Sequence, residues 1–167
     1  MSGPRFVVKA LEHSADRSEF DCGVEALDRY FRTQVGQDIE RRVAACFTAL
    51  DHQGSIAGYY TLASASVSLA DLPESLAKKL PRYPSVPAVR MGRLAVARSR
   101  QGAGLGAALL FDALRRAVSA EISAYALLVD AKDESAARFY RHHGFIASPS
   151  NSRLVFLPLA NVKHLIA

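Results

Sequence analysis

Midway along the chain, Arg98-Ser99-Arg100-Gln101-Gly102-Ala103-Gly104-Leu105-Gly106 separates two segments of opposite periodicity, and this run constrains the fold more than any other stretch. Before it, Val86 to Val96 is rich in Val, Met and Leu and reads as a strand. After it, Leu109, Leu110, Ala113, Leu114 and Ala117 make one apolar stripe of a helix, with Asp112, Arg115 and Arg116 on the other face. Glycines between a strand end and a helix start let the backbone come close to an anion, so that successive N–H groups and the helix dipole point at phosphate oxygens. A pyrophosphate is the natural guest.

Two nucleotide-binding templates fit less well. Gly102, Gly104 and Ala107 match G-x-G-x-x-G/A, and Asp130 closes the following strand, where a ribose-binding acid would stand. However, Arg98 to Gln101 intervene between the strand and the first glycine, and the chain beyond Asp130 is too short to complete a repeated βαβ sheet. A Walker-type loop is excluded, because no Gly-Lys-Ser/Thr follows the glycines. A tight turn with no ligand is the remaining alternative.

The rest of the chain supplies an α+β framework around this unit. Phe6 to Lys9 reads as a strand, and Leu27, Tyr30, Phe31 and Val35 place a helix over about Val24 to Arg41. Val43 to Leu50 and Ile56 to Val67 form a hairpin across the turn His52 to Gly54. Leu72 to Leu80 holds a short helix, and a loop with Pro81, Pro84 and Pro87 follows. Tyr125 to Ala131 is a buried strand, Asp133 to His143 a helix ended by Gly144, and Leu154 to Leu157 a last strand.

With 167 residues, half of them hydrophobic, the chain is expected to form a single soluble domain, 1–167. Met1 to Lys9 has no apolar core of signal-peptide length, and the weakly polar stretch Tyr59 to Ala70 is interrupted by Thr61, Ser64, Ser66 and Ser68, so neither secretion nor membrane spanning is expected. Cys22 and Cys46 fall in no Cys-x-x-Cys or Cys/His cluster, so no metal and no disulfide framework is expected, and a reducing cytoplasm fits. Twenty-one Lys and Arg against sixteen Asp and Glu leave +5, which suits an anionic partner.

The string Gln101-Gly102-Ala103-Gly104-Leu105-Gly106, between the strand Gly92-Arg93-Leu94-Ala95-Val96 and an amphipathic helix, resembles the loop of the GNAT acetyltransferases. Asp133 to Phe145 is similar to that family's last helix and the turn into its final hairpin. Phe20-Asp21-Cys22-Gly23, Gly58-Tyr59-Tyr60-Thr61-Leu62-Ala63 and Arg138-Phe139-Tyr140 narrow the resemblance to the TacT-like acetyltransferase toxins of toxin–antitoxin pairs. The resemblance implies a mixed, mostly antiparallel twisted sheet flanked by helices, with its fourth and fifth strands splayed. It implies acetyl-CoA as co-substrate, with Leu94, Ala95 and Val96 along the pantetheine arm. Arg100 to Ala107 (Arg100, Gln101, Gly102, Ala103, Gly104, Leu105, Gly106 and Ala107) would hold its phosphates, and Ser135 is a further cofactor-binding residue. The acceptor implied is the α-amine of an aminoacyl-tRNA, whose acetylation blocks translation, and the partner a ribbon-helix-helix antitoxin; a homodimer is also implied.

Attack of an amine on a thioester needs a neutral amine, a held carbonyl and a protonated leaving thiolate. Tyr140, which in the family faces the sulfur, is the candidate acid: a reference pKa of about 10 keeps it protonated, and a thiolate on a cysteine-like scale of about 8.5 is a charge it can stabilise. No general base stands out. An α-amine of pKa about 7.8 is about 14% neutral at pH 7, against about 0.04% for a lysine at about 10.4, so an α-amine asks least of the site by about 3.5 kcal/mol. Arg41, Arg42, Lys78, Lys79, Arg90 and Arg93 are candidates for gripping the acceptor through phosphate contacts that position without reading bases. His142 and His143 suit the C-terminal dipole of their helix, and Cys22 reads as packing. A GNAT enzyme for a small amine, peptide or protein N-terminus, and a non-catalytic CoA-binding module, stay open at this point.

Overall fold

The computed structural model describes residues 5–162. Its strands are β1 (Val7–Ala10), β2 (Ala45–Leu50), β3 (Ile56–Ser68), β4 (Ser85–Val96), β5 (Ala126–Asp130), β6 (Ile146–Ser148) and β7 (Asn151–Pro158). The helices are α1 (Glu25–Thr33), α2 (Val35–Glu40), α3 (Glu74–Ala77), α4 (Leu105–Ser119) and α5 (Glu134–His142). The seven strands form one mixed sheet in the order β1-β2-β3-β4-β5-β7-β6. β4 and β5 are parallel, whereas β1–β2, β2–β3, β5–β7 and β6–β7 are antiparallel. The antiparallel N-terminal strands exclude the doubly wound dinucleotide fold.

The chain divides into two compact units, one holding residues up to Ala63 with Gly92–Ala113, the other Ser64–Met91 with the residues from Leu114 on. In the first, Phe20, Phe31 and Tyr59 form the centre of the core. Phe31 stacks on Tyr59 at 4.3 Å between ring centroids, and Phe20 meets both rings edge-on, at 5.0 and 5.5 Å. In the second, Val67, Leu72, Val86, Ala88, Ala126, Leu128 and Phe156 pack together. β5 is buried at four consecutive residues, the continuous apolar run expected of an interior parallel strand.

The glycine loop depends on one close approach behind it. A Cβ on Gly58 of β3 would stand 2.8 Å from the Ala95 carbonyl oxygen and 2.9 Å from Leu109 Cδ1. Only glycine lets β3 lie this near both the end of β4 and the first turns of α4.

Three elements differ from their expected form. The helix over Val24 to Arg41 is broken at Gln34 (φ −118°), which Thr33, Val35 and Gly36, three weak helix formers, flank. The strand expected from Val43 begins at Ala45, because the Val43 and Ala44 N–H groups both turn back to the Asp38 carbonyl. Between Pro73 and Pro81 the helix α3 is a single turn. The short β6 was carried by the resemblance alone.

Candidate active site

The parallel register of β4 with β5 pairs Ala88, Val89 and Arg90 with Ala126, Leu127 and Leu128. β4 runs on to Val96 and β5 to Asp130. Arg90 forms an ion pair with Asp130, so Asp130 is engaged as a counter-ion. On β4, Ala95 is buried in the aromatic core and Leu94 and Val96 are half-buried.

Past β4 the chain makes a short 3-10 turn, Arg98–Arg100, and then the glycine loop. Gly102 and Gly104 have φ +83° and +84°, with open space where a Cβ would be. Ala108 is bonded through its N–H to the Gly104 carbonyl. The N–H groups of Leu105, Gly106 and Ala107, in the first turn of α4, therefore have no partner within the helix. That turn carries no acidic residue, so nothing on it competes with an anion for the positive end of the dipole. Gln101, Gly102, Ala103 and Gly104 are exposed. These features fit a diphosphate.

The loop is braced from behind. The Gln101 side-chain amide donates to the carbonyls of Cys22 (2.8 Å) and Val96 (2.9 Å). Arg98 donates from Nε to Asp21 Oδ1 at 3.0 Å and from its main-chain N–H to the Asp21 carbonyl at 2.9 Å. The segment Phe20 to Gly23 is itself fixed, since Asp28 Oδ1 accepts from the Cys22 N–H at 2.9 Å and Asp21 Oδ1 from the Gly23 N–H. Arg100, expected to meet phosphate, donates to Asp51 Oδ2 at 2.6 Å and ties the loop to the β2–β3 turn. Hydrogen bonds from the Ser55 and Gln53 N–H groups, with the nearby Arg100 charge, hold the Asp51 carboxyl below the usual range. Sequence reasoning missed Asp51 as a partner; its only local signal was Asp at a turn.

In the second unit, α5 is capped by Asp133, whose Oδ1 accepts from the Ala136 N–H at 2.8 Å. Ser135 is exposed in its first turn, and His142 and His143 are exposed at its end. Tyr140 is 6% exposed and packs against Phe139 and Phe145, with centroids at 5.1 and 5.5 Å. Its hydroxyl forms no hydrogen bond to any described residue, and it is not sealed away. The other three buried tyrosines differ: Tyr30 donates to Asp38, Tyr59 to the Leu27 carbonyl and Tyr60 to Asp112. Burial alone pushes the Tyr140 phenol above its ordinary value, so it holds its proton at neutral pH.

The basic candidates fall into two groups. Arg41 and Arg42 are exposed after α2, and Arg93 is half-buried over the Tyr30 ring, 3.4 Å from its centroid. Lys78 and Lys79 are exposed at the end of α3, and Arg90 is taken by Asp130. Arg42 has φ +61°. A cleft of about 670 Å³ in the first unit, between Phe20, Asp21, Ile56 and Arg98, holds none of the residues expected to bind donor or to catalyse. Among the described residues no cluster of three or more His, Cys, Asp or Glu is placed to hold a metal ion, and no helix is long and apolar enough to cross a membrane.

Residues 9–145 match the model of the Acetyltransferase (GNAT) family. The chain is 34% identical, over 95% of each protein, to the tRNA-acetylating toxin of Mycobacterium tuberculosis (strain ATCC 25618 / H37Rv). Among solved structures it is similar to AtaT complexed with acetyl-methionyl-tRNAfMet, with a TM-score of 0.89, 32% identity and coverage of 98% of this chain and all (100%) of that one. It is also similar to a mutant AtaT toxin bound to the C-terminus of the antitoxin AtaR and to acetyl-CoA, with a TM-score of 0.81, 27% identity and coverage of 97% and 98%.

Proposed function

The chain belongs to the GNAT acetyltransferase family, and from that premise we propose that it is a toxin that acetylates the α-amine of aminoacyl-tRNA and so blocks translation. Acetyl-CoA supplies the acetyl group as an activated thioester. The open N–H groups of Gly102 to Ala107 hold its diphosphate, the backbone of Leu94, Ala95 and Val96 takes the pantetheine amides, and Ser135 is a further cofactor contact. Arg100 contributes by fixing the loop through Asp51.

The observation that carries the reading is the Tyr140 hydroxyl, which burial keeps protonated and which no described residue uses. Tyr140 holds a proton at Oη for the leaving sulfur. Because its pKa stands above the ordinary phenol value, a hydrogen bond to the thiolate is favoured over complete transfer. The hydroxyl cannot serve as a base at neutral pH, so the acceptor amine must arrive neutral, which an α-amine does far more readily than a lysine.

The exposed Arg41, Arg42, Lys78 and Lys79 supply phosphate contacts, in keeping with the net charge of +5. The antitoxin proposed is a small ribbon-helix-helix protein, and the site of action the cytoplasm. The whole chain is taken to act as one catalytic domain, since β3, β4 and α4 each run through both units, and a homodimer is the proposed assembly.

The test is incubation with acetyl-CoA and a pool of charged tRNAs, read by mass spectrometry. Acetyl-aminoacyl product is expected. Its absence across the pool, with turnover of small amines or peptide N-termini, transfers the activity to those acceptors. No turnover of any amine reduces the chain to a CoA-binding module.

A further inference from the structure

Five polar or charged residues are buried among those described: Asp28, Thr48, Asp51, Thr61 and Ser148. Four are satisfied by the protein itself. Asp28 accepts from the Cys22 N–H, and Thr48 Oγ1 donates to the Lys9 carbonyl at 3.4 Å. Asp51 accepts from Gln53, Ser55 and Arg100, and Ser148 shares a hydrogen bond with Ser150. Thr61 is the fifth. It is 2% exposed, and its hydroxyl bonds to no described residue.

An interior hydroxyl left without a partner destabilises the fold, a penalty that a valine of the same shape would avoid. The hydroxyl is nevertheless not sealed, because no enclosed polar atom lacks a partner. Its opening is Gly92 on β4: a Cβ there would stand 3.1 Å from Thr61 Oγ1, and Gly92 itself is exposed. Gly92 does not have the positive φ that would require glycine for backbone reasons, so the missing side chain is what distinguishes it.

The next residue is Arg93. Its guanidinium lies over the Tyr30 ring, 3.4 Å from the centroid, and the Tyr30 hydroxyl is anchored on Asp38 at 2.7 Å. Arg93 forms no ion pair with a described residue, so the ring holds the guanidinium without a direct carboxylate partner. A cation carried one residue along β4 from the notch suits a phosphodiester, whereas a pantetheine arm carries no charge for it to meet.

We propose that Thr61 Oγ, uncovered by Gly92, hydrogen-bonds the aminoacyl ester of the acceptor while Arg93 holds the adjoining phosphate of the tRNA end. The proposal rests on the aminoacyl-tRNA reading above and adds the residues that seat the acceptor. A sealed structural threonine would lose stability on conversion to valine; a ligand-facing one loses function instead.

The experiment compares Thr61→Val, Thr61→Ser and Gly92→Ala with the wild type in steady-state kinetics on charged tRNA, in calorimetric titration with acetyl-CoA and in thermal denaturation. T61V is expected to keep or raise Tm, to leave acetyl-CoA affinity within about twofold, and to lower kcat/KM for charged tRNA by about 10- to 100-fold. T61S should recover most of that loss, and G92A should reproduce it. T61V turning over charged tRNA like an active wild type overturns the proposal alone. T61V losing Tm and acetyl-CoA affinity in step with turnover also overturns it. A wild type that acetylates no charged tRNA overturns the parent reading and this one together.

Discussion

Four tyrosines are buried among the described residues, and of these only Tyr140 has a hydroxyl that no described residue uses. Tyr140→Phe should therefore leave Tm unchanged and acetyl-CoA affinity nearly so, while lowering kcat by about 10²-fold or more; unchanged turnover removes Tyr140 from the chemistry. Since the phenol pKa is raised, kcat/KM should climb with pH as the acceptor amine loses its proton and level off above about 8. A fall between pH 8 and 9.5 in a pH-rate profile would contradict this. Arg42 gives a second residue-scale outcome. Its φ of +61° is a conformation that costs a side chain about 1–2 kcal/mol, so Arg42→Gly should hold or raise Tm while weakening charged-tRNA binding. Unchanged affinity in a filter-binding assay excludes the contact. Tyr140 stands out as a candidate in the sequence through Arg138-Phe139-Tyr140; its unbonded hydroxyl is not legible there, because hydrogen-bond partners arrive from distant segments. For the same reason the ion pair of Arg100 with Asp51 was not legible. Burial raises the Cys22 and Cys46 thiols to about 11 and about 12. Their contribution to stability is complete below the unfolded thiol pKa of about 8.5 and is lost as pH rises towards those values. Neither thiol should be alkylated in the native protein at pH 8, and both should be after denaturation.

At the scale of elements, the glycine loop and the helix behind it can be perturbed separately. Gly102→Ala or Gly104→Ala meets open space but places a side chain at positive φ, so each should cost about 1–2 kcal/mol and weaken acetyl-CoA binding measured by calorimetry. Gly58→Ala instead drives a methyl into the Ala95 carbonyl and Leu109, an overpacking cost of about 1–3 kcal/mol visible as a lower Tm. Periodicity revealed α4 and β5 because each is long or apolar enough to show it. It joined α1 to α2 because Phe31 and Val35, both fully buried, keep helical spacing across the break at Gln34. β6, three residues long, is too short to leave a period in the sequence and depends on β7 for its pairing.

For the whole molecule, a net charge of +5 spread over exposed arginines and lysines predicts binding that salt weakens. With about four phosphate contacts, affinity for tRNA should fall by about 10²-fold between 50 and 200 mM salt; an affinity insensitive to salt would contradict phosphate gripping. The class of fold was legible because the strand, glycine loop and helix occur once and in one order; the division of the chain into two units was not, since it depends on which distant residues touch. The anchoring of the glycine loop carries a further consequence. With Gln101 clasping Cys22 and Val96, and Arg98 clasping Asp21, the cradle is set before any nucleotide arrives. Donor capture then demands little ordering of the chain, so the enzyme can hold its acetyl donor and wait, the encounter with the acceptor deciding when each turnover begins.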